Sequence, residues 1–216
     1  MSQVFKPSSN TYAKLSIFGA LFAVVGALFA LDGFNRSDYM TQANVAREQP
    51  VPFSHKHHVA ELGLDCRYCH TTVETSSYAN IPPTATCMNC HSQIWSDSPT
   101  LEPVRASFAS DRSIEWTKVY DLPGFVYFDH SIHIAKGIGC VSCHGRVDEM
   151  NLTELANPLH MDWCVDCHRH PTPNVRPREE VFNMEWEPSG DEPDIHERLA
   201  AEYKIESRDD CSVCHR

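Results

Sequence analysis

The chain is 216 residues long, 42% apolar, with ten Cys, thirteen His, nine Gly, fourteen Pro and a net charge of −11 when histidine is neutral. Only Lys6 and Lys14 are charged before Asp32, so the acidic excess lies wholly beyond that point and argues against nucleic acid as a partner. Ten Cys would ordinarily indicate a disulfide scaffold, but the spacings exclude it, because every Cys sits in a C-x-x-C-H box.

In chain order, the first predicted element is an apolar helix. Leu15 to Leu31 carries no charge, and as a helix it spans about 26 Å at about 1.5 Å per residue. Tyr12, Ala13 and a snorkelling Lys14 bring it near the ~20 residues that a bilayer core needs. The run exceeds the ~7–15 residues of a signal-peptide core and no A-x-A site follows it. Residues 1–32 are therefore read as an uncleaved single-pass anchor, with the basic N-terminus inside and everything from Asp32 outside. A polar linker, 33–52, leads to a Cys/His-dense region, 53–216.

That region alternates boxes with proline-rich connectors: Pro82-Pro83, then Pro171, Pro173 and Pro177, then the acidic stretch Glu187 to Pro193. Short helices are predicted at His55 to Leu62, His130 to Lys136 and Pro193 to Lys204. No stretch alternates long enough for a sheet. The expected fold is mostly irregular and α, with short helices, long loops and little β.

Two segments repeat. Phe53-Ser-His55-Lys-His57-His58 precedes Cys66-Arg-Tyr-Cys69-His70, and Phe128-Asp-His130-Ser-Ile-His133 precedes Cys140-Val-Ser-Cys143-His144. Each F-x-H-x-x-H with its box is followed by a second box: Cys87-Met-Asn-Cys90-His91 and Cys164-Val-Asp-Cys167-His168. The chain thus reads as two duplicated two-box modules, 53–91 and 128–168, plus a fifth box, Cys211-Ser-Val-Cys214-His215.

In a C-x-x-C-H box the two thiols add across the vinyl groups of a haem, and the adjacent His becomes the proximal iron ligand. Chance would give roughly 0.03 such boxes at this composition, so five are not coincidence. Zinc needs four ligands in paired knuckles and gives no reason for a His after every pair. Five covalent haems c would consume all ten sulfurs, with His70, His91, His144, His168 and His215 proximal. The haems would then supply the core that so interrupted a chain cannot build.

Eight His remain for the sixth positions, and the repeats nominate His55, His58, His130 and His133. Residues three apart on a helical turn share a side but are offset along the axis, so each pair can serve two neighbouring irons. For the fifth, Met161 is the best local candidate, better placed to serve another haem than that of Cys164; His160, His170, His196 and Met184 remain alternatives. His57 breaks the spacing and is assigned to solvent or a propionate. Trp95, Trp116, Trp163 and Trp186 are expected to pack against macrocycles. No phosphate-binding glycine loop, nucleophile elbow or carboxylate pair stands out.

The paired F-x-H-x-x-H and C-x-x-C-H signals resemble class III cytochromes. That resemblance implies that the first His of each pair serves its own box and the second a neighbour, which assigns His55 to the Cys66 haem and His130 to the Cys140 haem. The whole layout, with the stretch from Met161 to Arg169, is similar to the pentahaem cytochrome subunit of bacterial alternative complex III; the linker from Trp95 to Gly124 contributes nothing to it. The resemblance implies an inner-membrane, periplasm-facing electron wire inside a quinol-oxidising complex, non-catalytic itself. Its implied partners are an iron–sulfur subunit, polytopic quinol-binding subunits and a monohaem cytochrome. The competing readings are a membrane-anchored multihaem quinol dehydrogenase and a multihaem reductase with one open iron.

Overall fold

The computed structural model describes residues 4–215, in two units, Met1–Ala43 and Asn44–Arg216. In the first, helix α1 runs Pro7–Asn35, further at both ends than the charge-free run. Proline suits its first turn, where a backbone N–H would be unpaired in any case. Asp32 and Arg36 pair at 3.2 Å across its last turn. None of its residues is buried by protein, and among the described residues it is the one helix long and apolar enough to cross a membrane. A short α2, Asp38–Thr41, follows, with the Tyr39 ring 5.9 Å from Phe34.

The second unit is built of short helices joined by irregular chain: α3 Cys66–Cys69, α4 Thr84–His91, α5 Glu102–Ser110, α6 His130–Ala135, α7 Cys140–His144, α8 Met161–Arg169, α9 Ile195–Glu202 and α10 Cys211–Cys214. The segment read as a helix from His55 is helical but wound as a π-helix, Lys56–Glu61, with the Leu62 N–H donating to His57 O. The other two predicted helices are α6 and α9, both shorter than the sequence pattern. An isolated antiparallel bridge joins Ile138 to Val175. The fold expectation is met: helices are short, strands almost absent, and one apolar helix stands near the N-terminus.

The apolar core is correspondingly slight. One cluster joins Val175 to Ile195, Leu199, Ala200 and Tyr203; another joins Val51, Leu101 and Val104, with Trp116 against it.

Candidate haem sites

Every box sits on one helical turn. In α3 and α10 the turn closes by a 2.8 Å bond from the His N–H to the first Cys carbonyl, His70 to Cys66 and His215 to Cys211. The two thiols at i and i+3 and the His at i+4 therefore lie on one side of the turn. Asp65 caps α3 by accepting from the Arg67 N–H at 2.8 Å. None of the ten cysteines is in a disulfide.

The repeated F-x-H-x-x-H turns have the same internal geometry. Phe53 meets His55 edge-on at 4.9 Å and 87° and lies over His58 at 4.4 Å and 23°. Phe128 meets His130 at 4.7 Å and 89° and His133 at 4.6 Å and 26°. In both turns the second His donates from Nδ1 to the carbonyl four residues back: His58 to Ser54 O at 2.8 Å, His133 to Asp129 O at 2.6 Å.

Nδ1 donation to a backbone carbonyl recurs at His70 (Asn80 O, 2.7 Å), His91 (Ile94 O, 3.0 Å), His130 (Ser77 O, 2.8 Å), His168 (Arg208 O, 2.8 Å) and His215 (Phe125 O, 3.1 Å). A carbonyl only accepts, so each of these rings carries its proton on Nδ1 and presents an Nε2 lone pair, the tautomer a metal ligand needs. Burial works in the same direction. It drives His55 down to about 4, helped by the neighbouring His70 and His58, and His144 down to about 4, helped by His130, His70 and His55. It also lowers His133, near His168.

Three pairs of rings face each other. His58 and His91 have centroids 6.2 Å apart at 65°, His133 and His168 6.1 Å at 63°, and His130 and His144 6.4 Å at 12°. Two imidazoles on opposite faces of one metal ion, with metal–nitrogen bonds of about 2 Å and ring centres roughly 1 Å further back, have centroids about 6 Å apart. The donor set and its spacing thus fit an iron held by two imidazoles. His55 interacts with two box histidines, His70 and His144.

The boxes have a spatial order that differs from their chain order. The second neighbours the first, through an Asn89 to Tyr68 hydrogen bond of 3.0 Å and the nearness of Cys87 to Cys69. The first neighbours the third: burial pushes the Cys140 thiol up to about 12, and Cys66 adds to it. Burial likewise takes Cys143 to about 12, with Cys167 and Cys164 of the fourth box adding to it. The fourth meets the fifth, since Cys214 acts on Cys164 and Arg169 bonds Asp209 at 2.9 Å.

The remaining candidates separate. Met161, at the start of α8 and one turn before Cys164, is 69% exposed. His160 Nε2 is closed off by protein with no hydrogen-bond partner, and Met184 is buried. His196 donates to Val175 O at 2.6 Å and meets Trp186 edge-on. His57 donates to Glu61 at 2.8 Å and stacks on Trp95.

Sequence reasoning missed three contacts. Tyr120 lies 4.3 Å from the His144 ring, Phe125 stacks on His215 at 5.9 Å, and Arg176 packs against Gly139 beside the third box. Tyr120 and Arg176 belong to no motif, so no spacing signals them.

Comparison with known proteins bears on this arrangement. Residues 126–216 match the family of cytochrome c7 and related cytochrome c. That span holds the third, fourth and fifth boxes. Cytochromes c carry haem covalently, so covalently bound haem c is the cofactor that this match implies. The chain is also 35% identical, over 127 residues, to the multihaem cytochrome c subunit of menaquinone reductase from Nitratidesulfovibrio vulgaris. That alignment covers 58% of the chain and 57% of the relative, so the chain spans a little over half of its relative's length. The chain is a homologue of a multihaem cytochrome c.

Proposed function

We propose that the chain is a membrane-anchored pentahaem cytochrome c that relays electrons within a quinone-linked complex and transforms no substrate itself. The observation that carries this reading is the pair of two-histidine turns. Each presents one imidazole towards its own box and the other, three residues on, towards the next, so that each turn serves two boxes at once. When bound, haem supplies one-electron exchange between ferric and ferrous iron. The residues do the rest: carbonyls orient the rings, burial favours the neutral form of His55, His58, His133 and His144, and Phe53 and Phe128 fix the planes beside them.

On this reading His55 with His70, His58 with His91, His130 with His144 and His133 with His168 would each hold one iron. Met161 would hold the fifth together with His215. Its open side chain one turn before Cys164, and the nearness of Cys164 to Cys214, support that choice over His160. The relay then runs second, first, third, fourth, fifth. Residues 1–32 anchor it, 33–52 link, and 53–216 carry the haems on the periplasmic face of an inner membrane.

The alternative complex III assignment, with an iron–sulfur subunit, polytopic quinol-binding subunits and a monohaem cytochrome as partners, sends electrons away from quinol. The relative named for menaquinone reduction favours a second reading in which they run towards quinone. Two measurements decide. Intact mass of the full-length protein from membranes is expected to show five haem adducts, and carbon monoxide is expected to leave the native spectrum unchanged. Fewer adducts, or a gas-bound iron, overturn the relay. In the intact complex, reduction of the haems by a quinol analogue supports the outward direction. Reduction by a soluble low-potential donor, followed by formation of quinol, supports the inward one.

A further inference from the structure

Arg176 is a buried charge that the relay described so far leaves without a role. It is 8% exposed and makes no ion pair among the described residues. Its Nη1 donates to two neutral carbonyls, Asn183 O at 2.9 Å and Glu180 O at 3.5 Å. Its Nε is buried with no partner, and its Cζ stands 5.1 Å from the Trp186 ring centre. Burial holds it below the ordinary guanidinium value, but arginine does not give up its proton in a protein. The carboxylates that act on it, Glu187 and Glu180, stand beyond ion-pair distance, so the desolvation of the cation is offset only in part and its location calls for an explanation.

The location is specific. The Arg176 N–H donates to Gly137 O at 2.8 Å, and Val175 bridges Ile138, which straps this strand of chain against the segment leading into the third box. The guanidinium fills the space where a side chain at Gly139 would stand, and Gly139 directly precedes Cys140. The charge therefore lies against the backbone that holds the box at the centre of the spatial order.

We propose that Arg176 is a fixed positive charge that raises the reduction potential of the haem held at the third box between His144 and His130. The proposal rests on the haem reading above. When that iron goes from ferric to ferrous it accepts one electron from a reduced neighbour, no bond forms or breaks, and its net charge falls by one. A positive charge a short way off in a dry interior favours the reduced form. The electron thus dwells at the middle of the relay.

The His130–His144 geometry supplies a spectroscopic handle. Nearly coplanar imidazoles split the iron π-type d orbitals, whereas the crossed pairs at 65° and 63° leave them close to degenerate, with a far more anisotropic ferric signal. In a redox titration of the native protein followed by electron paramagnetic resonance, a coplanar-class signal is expected to disappear before the two crossed-class signals. Arg176→Gln is expected to lower that midpoint at least tenfold in equilibrium constant, about 59 mV for one electron. Arg176→Lys, which keeps the charge but loses the fork, is expected to stay near native. A purely structural staple predicts the opposite pattern, with lysine and glutamine equally disturbing. Unchanged potentials in a fully loaded Arg176→Gln protein overturn the proposal. So does reduction of the native coplanar-class haem after the crossed ones, which needs no variant to fold. Loss of haem adducts from the native protein would instead sink the relay reading.

Discussion

Each phenylalanine of the repeat touches both histidines of its turn, edge to one and face to the other, and so sets the angle between two ligand planes with one ring. Phe128→Ala is expected to loosen both planes. The ferric signals of two haems should broaden or merge while the other three hold, and the melting temperature should fall by the equivalent of about 2 kcal/mol, below the range for a fully buried Phe. Unaltered signals would show that the carbonyl bonds alone hold the rings. Met161→His is expected to lower one midpoint potential, because a thioether ligand favours ferrous iron more than imidazole does. If all five potentials stay put in redox-titrated spectra, Met161 is not a ligand. At this scale the histidine pairs were legible, since spacing alone nominates His55, His58, His130 and His133. Tyr120 and Arg176 were not, because a ring or a charge brought to a site by irregular chain leaves no period in the sequence.

At the scale of elements, each module has an aspartate-capped turn, at a different place in each. Asp65 caps the first box and Asp129 caps α6, each accepting the N–H two residues on. The Arg67 guanidinium beside Asp65 holds its carboxyl below the usual carboxylate range. A carboxyl depressed on folding contributes its full stability above its unfolded value and loses it as pH falls through the folded one. The stability difference between native and Asp65→Asn protein is therefore expected to be constant above about pH 5 and to shrink below about pH 4. Thermal melts across that range check it; being half exposed, the cap is worth at most about 1 kcal/mol. A difference that persists into acid would assign the effect to the Arg67 side-chain geometry instead. The sequence placed the two histidine turns and α9, but it named neither α5 nor the helical turns of the boxes. It did not announce the π winding at Lys56–Glu61, since no apolar period runs through it. It also ended the N-terminal helix at the charges, whereas backbone propensity carries α1 past Lys14 and Asp32.

For the molecule as a whole, two small apolar clusters are all that the described residues gather without haem. Protein made in a host that cannot attach haem is expected to lack near-ultraviolet circular dichroism and a cooperative melt. A sharp transition in such material would mean that the polypeptide folds on its own. The acidic surface, to which propionates add, is expected to dock on basic partners, so electron delivery to a basic soluble acceptor should slow as salt rises. A salt-independent rate would point to permanently assembled subunits.

The joint between the two modules has a further consequence. Cys66 and Cys140 hold equivalent positions in the duplicated halves, as do His70 and His144, and these like residues act on one another across the joint. Like meeting like is the mark of a two-fold axis, the contact a symmetric homodimer makes. The halves are therefore set nose to nose, not nose to tail, and their matching ends point outward. One of those outer ends is covered by α5, while the other has been extended by the closing segment that bears Cys211 and Cys214, so an otherwise reversible object acquires a direction.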